Sequence, residues 1–276
     1  MTEPIGRREI ALGLPIAAAA AWFRVGPAKA ASQSVTAPAD VVAALAPNGR
    51  MRAAINLGNE VLAQRDPKTG VVTGVIVDIT NELARRLGVP VDSIYYDTGG
   101  KIAPAQPADR WTISYLGTEQ SRVAGFDVTE PYLTLDGTYL VRDNSRFKSV
   151  RDLDQDGVQI ATALNSAYDQ ELSKMLKHAK LVRAPTSLAA IELFEKQRLD
   201  AAAGVRQALV SAQKSAKDFR VLPDAYTHID QAVTIPKGHD STLRYLQALV
   251  AELKTSGFIK DSLDRSGQSA ELVPAK

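Results

Sequence analysis

The sequence has no cysteine, and this absence excludes several kinds of structure and chemistry. A chain without thiols cannot form disulfides, thiolate metal sites, cysteine nucleophiles or a lipid-modified cysteine anchor. The sequence also has no large excess of positive or negative charge, since it contains 33 Lys and Arg and 31 Asp and Glu. No basic field therefore indicates nucleic acid as a partner. What remains is an ordinary globular composition, 45% hydrophobic over 276 residues, which suits one large or two medium domains.

Local motifs for cofactors and catalysis are also lacking. The sequence contains no phosphate-binding loop, no dinucleotide-binding fingerprint and no G-x-S-x-G nucleophile elbow. Its three histidines, His178, His228 and His239, have no spacing typical of a metal site. We therefore expect no cofactor and no bound metal, and no catalytic triad is indicated locally.

The first 30 residues have the layout of a cleaved secretory signal peptide. Arg7 and Arg8 precede an apolar run over 10–23, and residues 28–30 have the A-x-A pattern of a cleavage site. The run contains Pro15 and is shorter than the roughly 20 residues that span a bilayer. The paired arginines favour twin-arginine export, with the general secretion channel as the alternative. An uncleaved anchor and a buried helix are the other interpretations of this segment.

Residues 31–41 are rich in small residues and proline, and we predict a disordered leader there. Beyond it, strand and helix patterns alternate, which predicts an α/β fold with a largely parallel sheet and helices on both faces. Helices are predicted over 76–87, from 165 or 166, from 186 or 187, and from 240 to about 257. Strands are predicted at Arg52–Asn56, Val91–Tyr96, Trp111–Tyr115, Thr138–Val141, Val158–Ala163, Leu181–Arg183, Ala201–Gly204, Arg220–Leu222 and Ala232–Ile235.

Two segments carry a resemblance to a known family. The first is GVIVDI at 74–79, which leads into NELARRLGV at 81–89, and the second is Arg122 followed by VTEPY at 128–132. They resemble the G-F-D-V-D-L…A-x-x-L-G-V and R-x5-F-[ST]-x-P-Y blocks of the amino-acid-type bacterial extracellular solute-binding proteins, family 3. The resemblance extends from about residue 45 to 267, nearly the whole chain behind the expected signal peptide.

This resemblance implies a type II periplasmic-binding-protein fold, with two α/β lobes joined by a hinge of two crossings. Lobe 1 would comprise 42–139 and 231–276, and lobe 2 would comprise 140–230. It implies a monomeric periplasmic protein, not an enzyme, that holds a small polar organic ligand, amino-acid-like or a carboxylate, between the lobes. The closed protein would then deliver the ligand to the membrane permease of an ABC importer.

The resemblance places Arg122 where relatives bind the ligand carboxylate with two parallel donors of a guanidinium. A solvated surface arginine is the alternative. Relatives usually carry a threonine three positions earlier, whereas this sequence has Glu119 there, preceded by Thr118. Glu119 would either neutralise Arg122 or face a cationic group of the ligand. The departure weakens the case for an ordinary ligand carboxylate.

In the second lobe, Asn165 and Ser166 occupy the place where relatives bind anions at a helix start. The alternative is a plain helix cap without a ligand role. The acidic residue that binds the ligand ammonium in relatives falls at Val205 here, beside Arg206. Arg206 would then contact a second polar or anionic group of the ligand, or else point to solvent.

The aromatic residues that relatives carry after the first strand are absent, and Asn59 would contribute a polar wall instead. Tyr115 and Trp111 are candidates for aromatic contacts, although both residue types also suit a core. Asp78 matches an acid of the first family block, where it would approach the ligand or, more simply, cap the following helix.

Two further functions stay open. A few relatives are cyclohexadienyl dehydratases, which need a general acid at the position of Ala208. Alanine cannot transfer a proton. Glu119 is the one residue that we nominate as the general acid in its place. The third interpretation is a partner that reports ligand occupancy to a membrane receptor. The identity of the ligand is not predicted.

Overall fold

A computed structural model describes residues 37–216 and 218–274. The expected signal peptide, 1–30, and the first residues of the expected leader lie outside the described residues. Residues 39–41, which we assigned to a disordered leader, belong instead to the first helix, because Val41 and Leu45 share its apolar face and are buried. None of the helices in the described ranges has the length and apolar character needed to cross a membrane.

Strands and helices alternate along the described chain. The strands are β1 (Met51–Asn56), β2 (Gln64–Arg65), β3 (Val72–Thr73), β4 (Val91–Tyr96), β5 (Ile113–Gly117), β6 (Phe126–Val128), β7 (Leu133–Arg142), β8 (Gln159–Ala163), β9 (Lys180–Ala184), β10 (Ala201–Val205), β11 (Phe219–Val221) and β12 (Thr227–Pro236). The helices are α1 (Ala39–Leu45), α2 (Val75–Leu87), α3 (Ile102–Asp109), α4 (Gln120–Val123), α5 (Ala167–Met175), α6 (Ser187–Lys196), α7 (Arg206–Ser215), α8 (Asp240–Thr255) and α9 (Phe258–Arg265).

The predicted α/β class is confirmed, and every predicted strand overlaps an observed one. The fifth strand begins at Ile113 rather than at Trp111, and the Trp111 side chain packs on Phe126 with ring centroids 5.2 Å apart. The largest difference concerns β7 and β12, which have ten residues each and run well beyond the short predicted strands. Because polar residues occupy the middle of both strands, the sequence did not show that each strand continues through them.

The sheet has two parallel halves that are joined by these two long antiparallel strands. Its order is β4-β1-β5-β12-β7-β10-β8-β9, with β6 and β11 paired to the ends of β12 and β7. Residues 133–137 of β7 pair with β12, whereas 137–141 pair with β10. Residues 227–231 of β12 pair with β7, whereas 231–234 pair with β5. Each long strand therefore begins in one half of the sheet and ends in the other.

Helices cover both faces of each half. In the first half, α2, α8 and α9 contribute buried side chains to the largest core cluster. In the second half, a separate cluster lies beneath α6 and α7, where Phe194 and Phe219 are in tilted contact at 5.1 Å between ring centroids. The largest cluster also continues into the second half, through Ile160, Leu172 and Ala201. The polar residues between the halves remain available for a site.

A carboxylate network joins α2 to α8, and it predicts a pH dependence of stability. The guanidinium of Arg86 contacts Glu82 and Glu252, each at 2.7 Å. Hydrogen bonds from Arg85 and then from Arg86 lower the pKa of Glu82 from its ordinary 4.5 to about 2, against the opposite effect of burial. Since the folded pKa is depressed, the stabilisation is present above pH 4.5 and is lost as the pH falls towards 2.

We therefore expect Glu82→Gln to unfold at lower urea concentration than the unsubstituted protein at pH 7, with the difference narrowing as the pH falls from 4.5 to about 2. Glu192→Gln is the matched control, because Glu192 pairs with Lys196 on an exposed helix face and exposed pairs contribute only about 0–1 kcal/mol. A difference for Glu82→Gln that stays constant over this pH range would contradict the assignment.

Candidate functional site

A small cavity lies between the two halves of the sheet, where the carboxyl ends of β1, β5 and β10 meet the first residues of α5 and α6. Its volume is about 60 Å³. Such a position, beside strand ends and helix N-termini, is where α/β proteins commonly bind ligands. A wider groove of about 800 Å³ adjoins it and shares Gly58, Ser187, Ile191 and Ala208 with the cavity wall.

Arg122 is the charged residue of the cavity wall, and it is held by its own chain. It lies on α4, and its side chain is 5% exposed. Its Nε donates to Oε2 of Glu119 at 3.2 Å, and its Nη2 donates to the carbonyl oxygen of Asn165 at 2.9 Å. Burial lowers the pKa of Arg122, while the Glu119 carboxylate acts in the opposite direction. An arginine remains protonated even so, so the structure presents a buried, internally paired cation.

Glu119 faces Arg122 and does not line the cavity. Its side chain is 12% exposed, and its carboxylate lies against Gly117 at the end of β5. A Cβ atom on Gly117 would stand 2.6 Å from Oε2 of Glu119, so this carboxylate packs directly against the glycine. Of the two roles left open for Glu119, the geometry matches neutralisation of Arg122. Thr118 is also absent from the wall, and its amide donates to the carbonyl of Asp230 at 3.0 Å.

Asn165 and Ser166 form the turn that leads from β8 into α5. Asn165 has a positive φ of 58°, a conformation that asparagine tolerates better than most residues. Its amide donates to Oδ2 of Asp169 at 2.9 Å, and Oγ of Ser166 accepts from the amide of Asp169 at 3.0 Å. Ser166 is therefore a helix cap that also lines the cavity. Asn165 offers its carbonyl oxygen to Arg122, and its ligand role stays a prediction.

Direct contacts close the cavity from both sides. Besides the bond from Arg122 to Asn165, Oγ of Ser121 on α4 donates to Oε1 of Gln170 on α5 at 2.7 Å. Gly100 approaches Asn165 so closely that a Cβ atom on this glycine would lie 2.9 Å from both Cβ and the carbonyl oxygen of Asn165. These contacts describe a cleft whose two sides touch.

Arg206 is not brought to this cavity. Its Nε donates to Oδ2 of Asp136 at 3.1 Å, while Nη1 and Nη2 donate to the carbonyl oxygens of Leu222 and Asp224 at 2.9 and 3.0 Å. Arg206 therefore does not line the cavity. Its guanidinium is bound by the protein and does not point freely to solvent. Arg206 instead ties the start of α7 to β7 and to the segment after β11.

The two candidate aromatic residues are mainly core residues. Tyr115 reaches the cavity wall, but its hydroxyl is buried and lies 2.7 Å from Oγ1 of Thr80. Burial raises the pKa of Tyr115 above its ordinary range. Trp111 is buried, and its indole Nε1 donates to the carbonyl of Ile102 at 3.1 Å. Among the described residues, the cavity wall therefore includes Tyr115 and Tyr168 and no indole.

Asn59 does line the cavity, and its Oδ1 accepts from the amide of Val61 at 3.1 Å. The expected cap by Asp78 is wrong: α2 begins after Gly74 without a side-chain cap. Oδ2 of Asp78 accepts instead from Oγ of Ser262 at 2.6 Å and from Nη2 of Arg265 at 2.7 Å. Asp78 thus joins α2 to α9.

Sequence reasoning missed several polar residues of the wall, among them Asn56, Thr98, Tyr168 and Gln231. The Tyr168 hydroxyl lies 2.9 Å from Oγ of Ser187, and burial raises the pKa of Tyr168. A signal was present for Asn56, which is the last residue of a predicted strand. Gln231 lies on β12 at the point where its pairing changes, which no local pattern reveals. Within the described ranges, no group of three His, Asp or Glu side chains is arranged to hold a metal ion.

Solved structures share this architecture. A mutant of ArgBP from T. maritima is similar with a TM-score of 0.72 and 20% identity, over 82% of this chain and 99% of that one. A putative ABC-transporter binding component from Wolinella succinogenes, complexed with lysine, gives 0.70 and 23%, over 79% and 95%. An ancestral amino acid-binding protein, described as a precursor of cyclohexadienyl dehydratase, gives 0.70 and 23%, over 81% and 97%.

At these identities the likeness establishes the fold, which is the type II periplasmic-binding fold of two α/β lobes joined by a hinge of two crossings. No protein of curated function matches the sequence significantly. Residues 59–267, well over half of the chain, match the bacterial extracellular solute-binding proteins, family 3. The chain therefore belongs to this family of solute-binding proteins.

Proposed function

We propose that this protein is a monomeric periplasmic solute-binding protein, exported by a cleaved signal peptide. It captures one small polar organic molecule between its lobes and delivers it to the permease of an ABC importer. The observation that carries the proposal is the cavity between the two halves of the sheet, with the buried Arg122 in its wall and with contacts that bridge its two sides. A cleft that excludes water and collects strand ends and helix starts suits capture of a ligand.

Lobe boundaries at 139–140 and 230–231 are part of this proposal. The pairing of the two long strands supports them, because β7 changes partner at Gly137 and β12 changes partner at Gln231. A small change in backbone angles at these two places would move one half of the sheet relative to the other. Closure of this hinge around the ligand would create the combined surface that a permease recognises.

The proposed mechanism is binding and closure rather than bond making. Ala208, at the position of the general acid in the dehydratase relatives, lies in the cavity wall and has no proton to transfer. The substitute that we nominated, Glu119, is bound to Arg122 and does not line the cavity. Both observations support a protein that is not an enzyme.

A thermal-unfolding screen tests this proposal. A ligand present at 100 times its dissociation constant stabilises the folded state by about 2.7 kcal/mol. For a chain of this size, the melting temperature should therefore rise by about 5–10 °C. The screen compares amino acids, dicarboxylates, aromatic acids, polyamines and uncharged amides, alcohols and sugars. A selective rise with one chemical class is the expected result, and the absence of a rise with every class would contradict the proposal.

A further inference from the structure

The cavity and the wider groove beside it are continuous, and their sizes differ greatly. The cavity has a volume of about 60 Å³ and the groove about 800 Å³, and Ile191 belongs to the wall of both. One water molecule needs at least about 10–15 Å³, so the cavity has room for a carboxylate-sized group and little more. A ligand that binds there must extend past Ile191 into the groove, provided that the proposed solute-binding function holds.

Arg122 retains unused hydrogen-bond donors at the cavity. A guanidinium has five N–H groups, and Arg122 uses one on Glu119 and one on the carbonyl of Asn165. Within the described part of the chain, both N–H groups of Nη1 and one of Nη2 have no protein acceptor. Nη1 lies beside Gly99 in the cavity wall, where an added Cβ atom would stand 3.4 Å from it. A buried cation with free donors favours an anionic group such as a carboxylate.

An ammonium group next to that carboxylate would find no counter-ion. No acidic side chain lines the described wall of the cavity. Glu119, which packs against Gly117, is already paired with Arg122 at 3.2 Å. The wall also contains apolar side chains, such as Val205 and Leu209. An unpaired charge is strongly disfavoured in such surroundings, so the carbon that carries the carboxylate should not also carry a charged amine.

The groove, in contrast, is acidic. Among the described residues of its wall, four carry a negative charge and none carries a positive charge; the four are Glu60, Asp97, Glu192 and Glu195. All four are exposed, so a ligand cation beside them keeps part of its hydration. The groove therefore accepts a cationic group at a much lower cost of desolvation than the cavity does.

Helix α6 leads from the cavity to two of these carboxylates. Ser187, its first residue, lines the cavity, and Leu188 and Ile191 follow in the wall of the groove. At a rise of about 1.5 Å per residue, Glu192 and Glu195 lie about 8 and 12 Å along the helix axis from Ser187. Leu188 is 67% exposed, so an aliphatic chain packed on it would remove apolar surface from water. This spacing suits several methylene groups between an anion and a cation.

We infer that the ligand of this cleft is an ω-amino or ω-guanidino carboxylic acid. Its carboxylate binds Arg122, its aliphatic chain passes Ile191, and its single distal cation lies in the acidic groove. Glu192 and Glu195 are the specificity-determining residues, because their charge selects the distal cation. This inference narrows the ligand class that the sequence indicated, amino-acid-like molecules or carboxylates, to members without an amine beside the carboxylate.

Calorimetric titration with four matched compounds tests the inference. The probe is ε-aminocaproate, which has a carboxylate, a methylene chain and a terminal ammonium. Caproate lacks the ammonium, hexylamine lacks the carboxylate, and L-lysine adds an amine beside the carboxylate. The protein should bind ε-aminocaproate at least about tenfold more tightly than each of the other three, because each of them loses one ion pair or adds an unpaired charge.

The double variant Glu192→Gln/Glu195→Gln removes the acidic charge of α6 from the groove wall. Its affinity for ε-aminocaproate should fall by about three- to tenfold, as expected for the loss of two solvent-exposed ion pairs. Its affinity for caproate should not fall, since caproate carries no cation. Glu130→Gln changes an exposed carboxylate outside the cavity and the groove, and should leave the affinity for ε-aminocaproate unchanged. Circular dichroism verifies that the variants fold.

The inference is overturned if ε-aminocaproate does not bind, or if L-lysine, caproate or hexylamine binds as tightly. It is also overturned if the double variant binds ε-aminocaproate as tightly as the unsubstituted protein. Such results leave solute binding intact, because another compound that raises the melting temperature would still occupy the cleft. Failure of the proposed function has a different signature, namely no rise in melting temperature with any class of compound.

Discussion

Replacement of Arg122 by alanine is expected to lower the free energy of unfolding by about 3–5 kcal/mol, because it breaks a buried ion pair from one side. The carboxylate of Glu119, 12% exposed, would be left without its cation. The carbonyl of Asn165 would lose the donor that reaches it across the cleft. The same substitution removes the cation of the cavity wall, so ligand affinity should fall as well.

Urea unfolding at pH 7 measures this effect, and two further variants make it specific. Lys196→Ala is the matched control, since Lys196 pairs with Glu192 while 73% of its side chain is exposed, and such exposed pairs contribute little to stability. Glu119→Gln in the Arg122→Ala background should restore part of the lost stability, because a buried amide needs no counter-ion. A loss no larger than that of Lys196→Ala would contradict the pairing.

The second large effect is expected from Gly100→Ala, which should weaken ligand binding by about 5- to 150-fold, the equivalent of the 1–3 kcal/mol that overpacking typically costs. The added Cβ would lie 2.9 Å from Cβ and from the carbonyl oxygen of Asn165. Since the carbonyl oxygen belongs to the backbone, no rotation of a side chain removes the whole clash. The two sides of the cleft must therefore move apart.

Small-angle X-ray scattering and calorimetric titration check this prediction together. Gly100→Ala should have a larger radius of gyration than the unsubstituted protein and a lower affinity for whichever compound raises the melting temperature. Gly125→Ala is the matched control, because a Cβ at Gly125 meets no atom within 4 Å. If the two variants behave alike, contact between Gly100 and Asn165 does not control closure.

The sequence predicted those features that depend on neighbouring residues. The 3–4 spacing of apolar residues located α2 and α8. A helix start at 186 or 187 was expected, and a cap was one of the two interpretations of Ser166. The side chains of Ser166 and Thr186 each accept a hydrogen bond from an amide three residues later. The pairing of Glu119 with Arg122 could also be predicted from neighbouring residues, since the two residues are three positions apart on one short helical turn.

The features that the sequence did not reveal depend on residues far apart in the chain. Arg206 finds Asp136 70 residues away, and Asp78 finds Arg265 187 residues away. No local pattern encodes such a partner, so Arg206 was assigned to the ligand or to solvent, and Asp78 to the ligand or to a cap. The full lengths of β7 and β12 were missed because each strand changes neighbours at its middle, where the alternation of buried and exposed residues is interrupted.

The central claim is that the closed cleft captures one small molecule, and native mass spectrometry tests it most directly. The protein and Gly100→Ala would each be incubated with a fractionated extract of small bacterial metabolites and transferred intact. The account predicts that the unsubstituted chain retains one small molecule per chain and that Gly100→Ala retains much less. Equal retention by both proteins, or retention by neither, would contradict it.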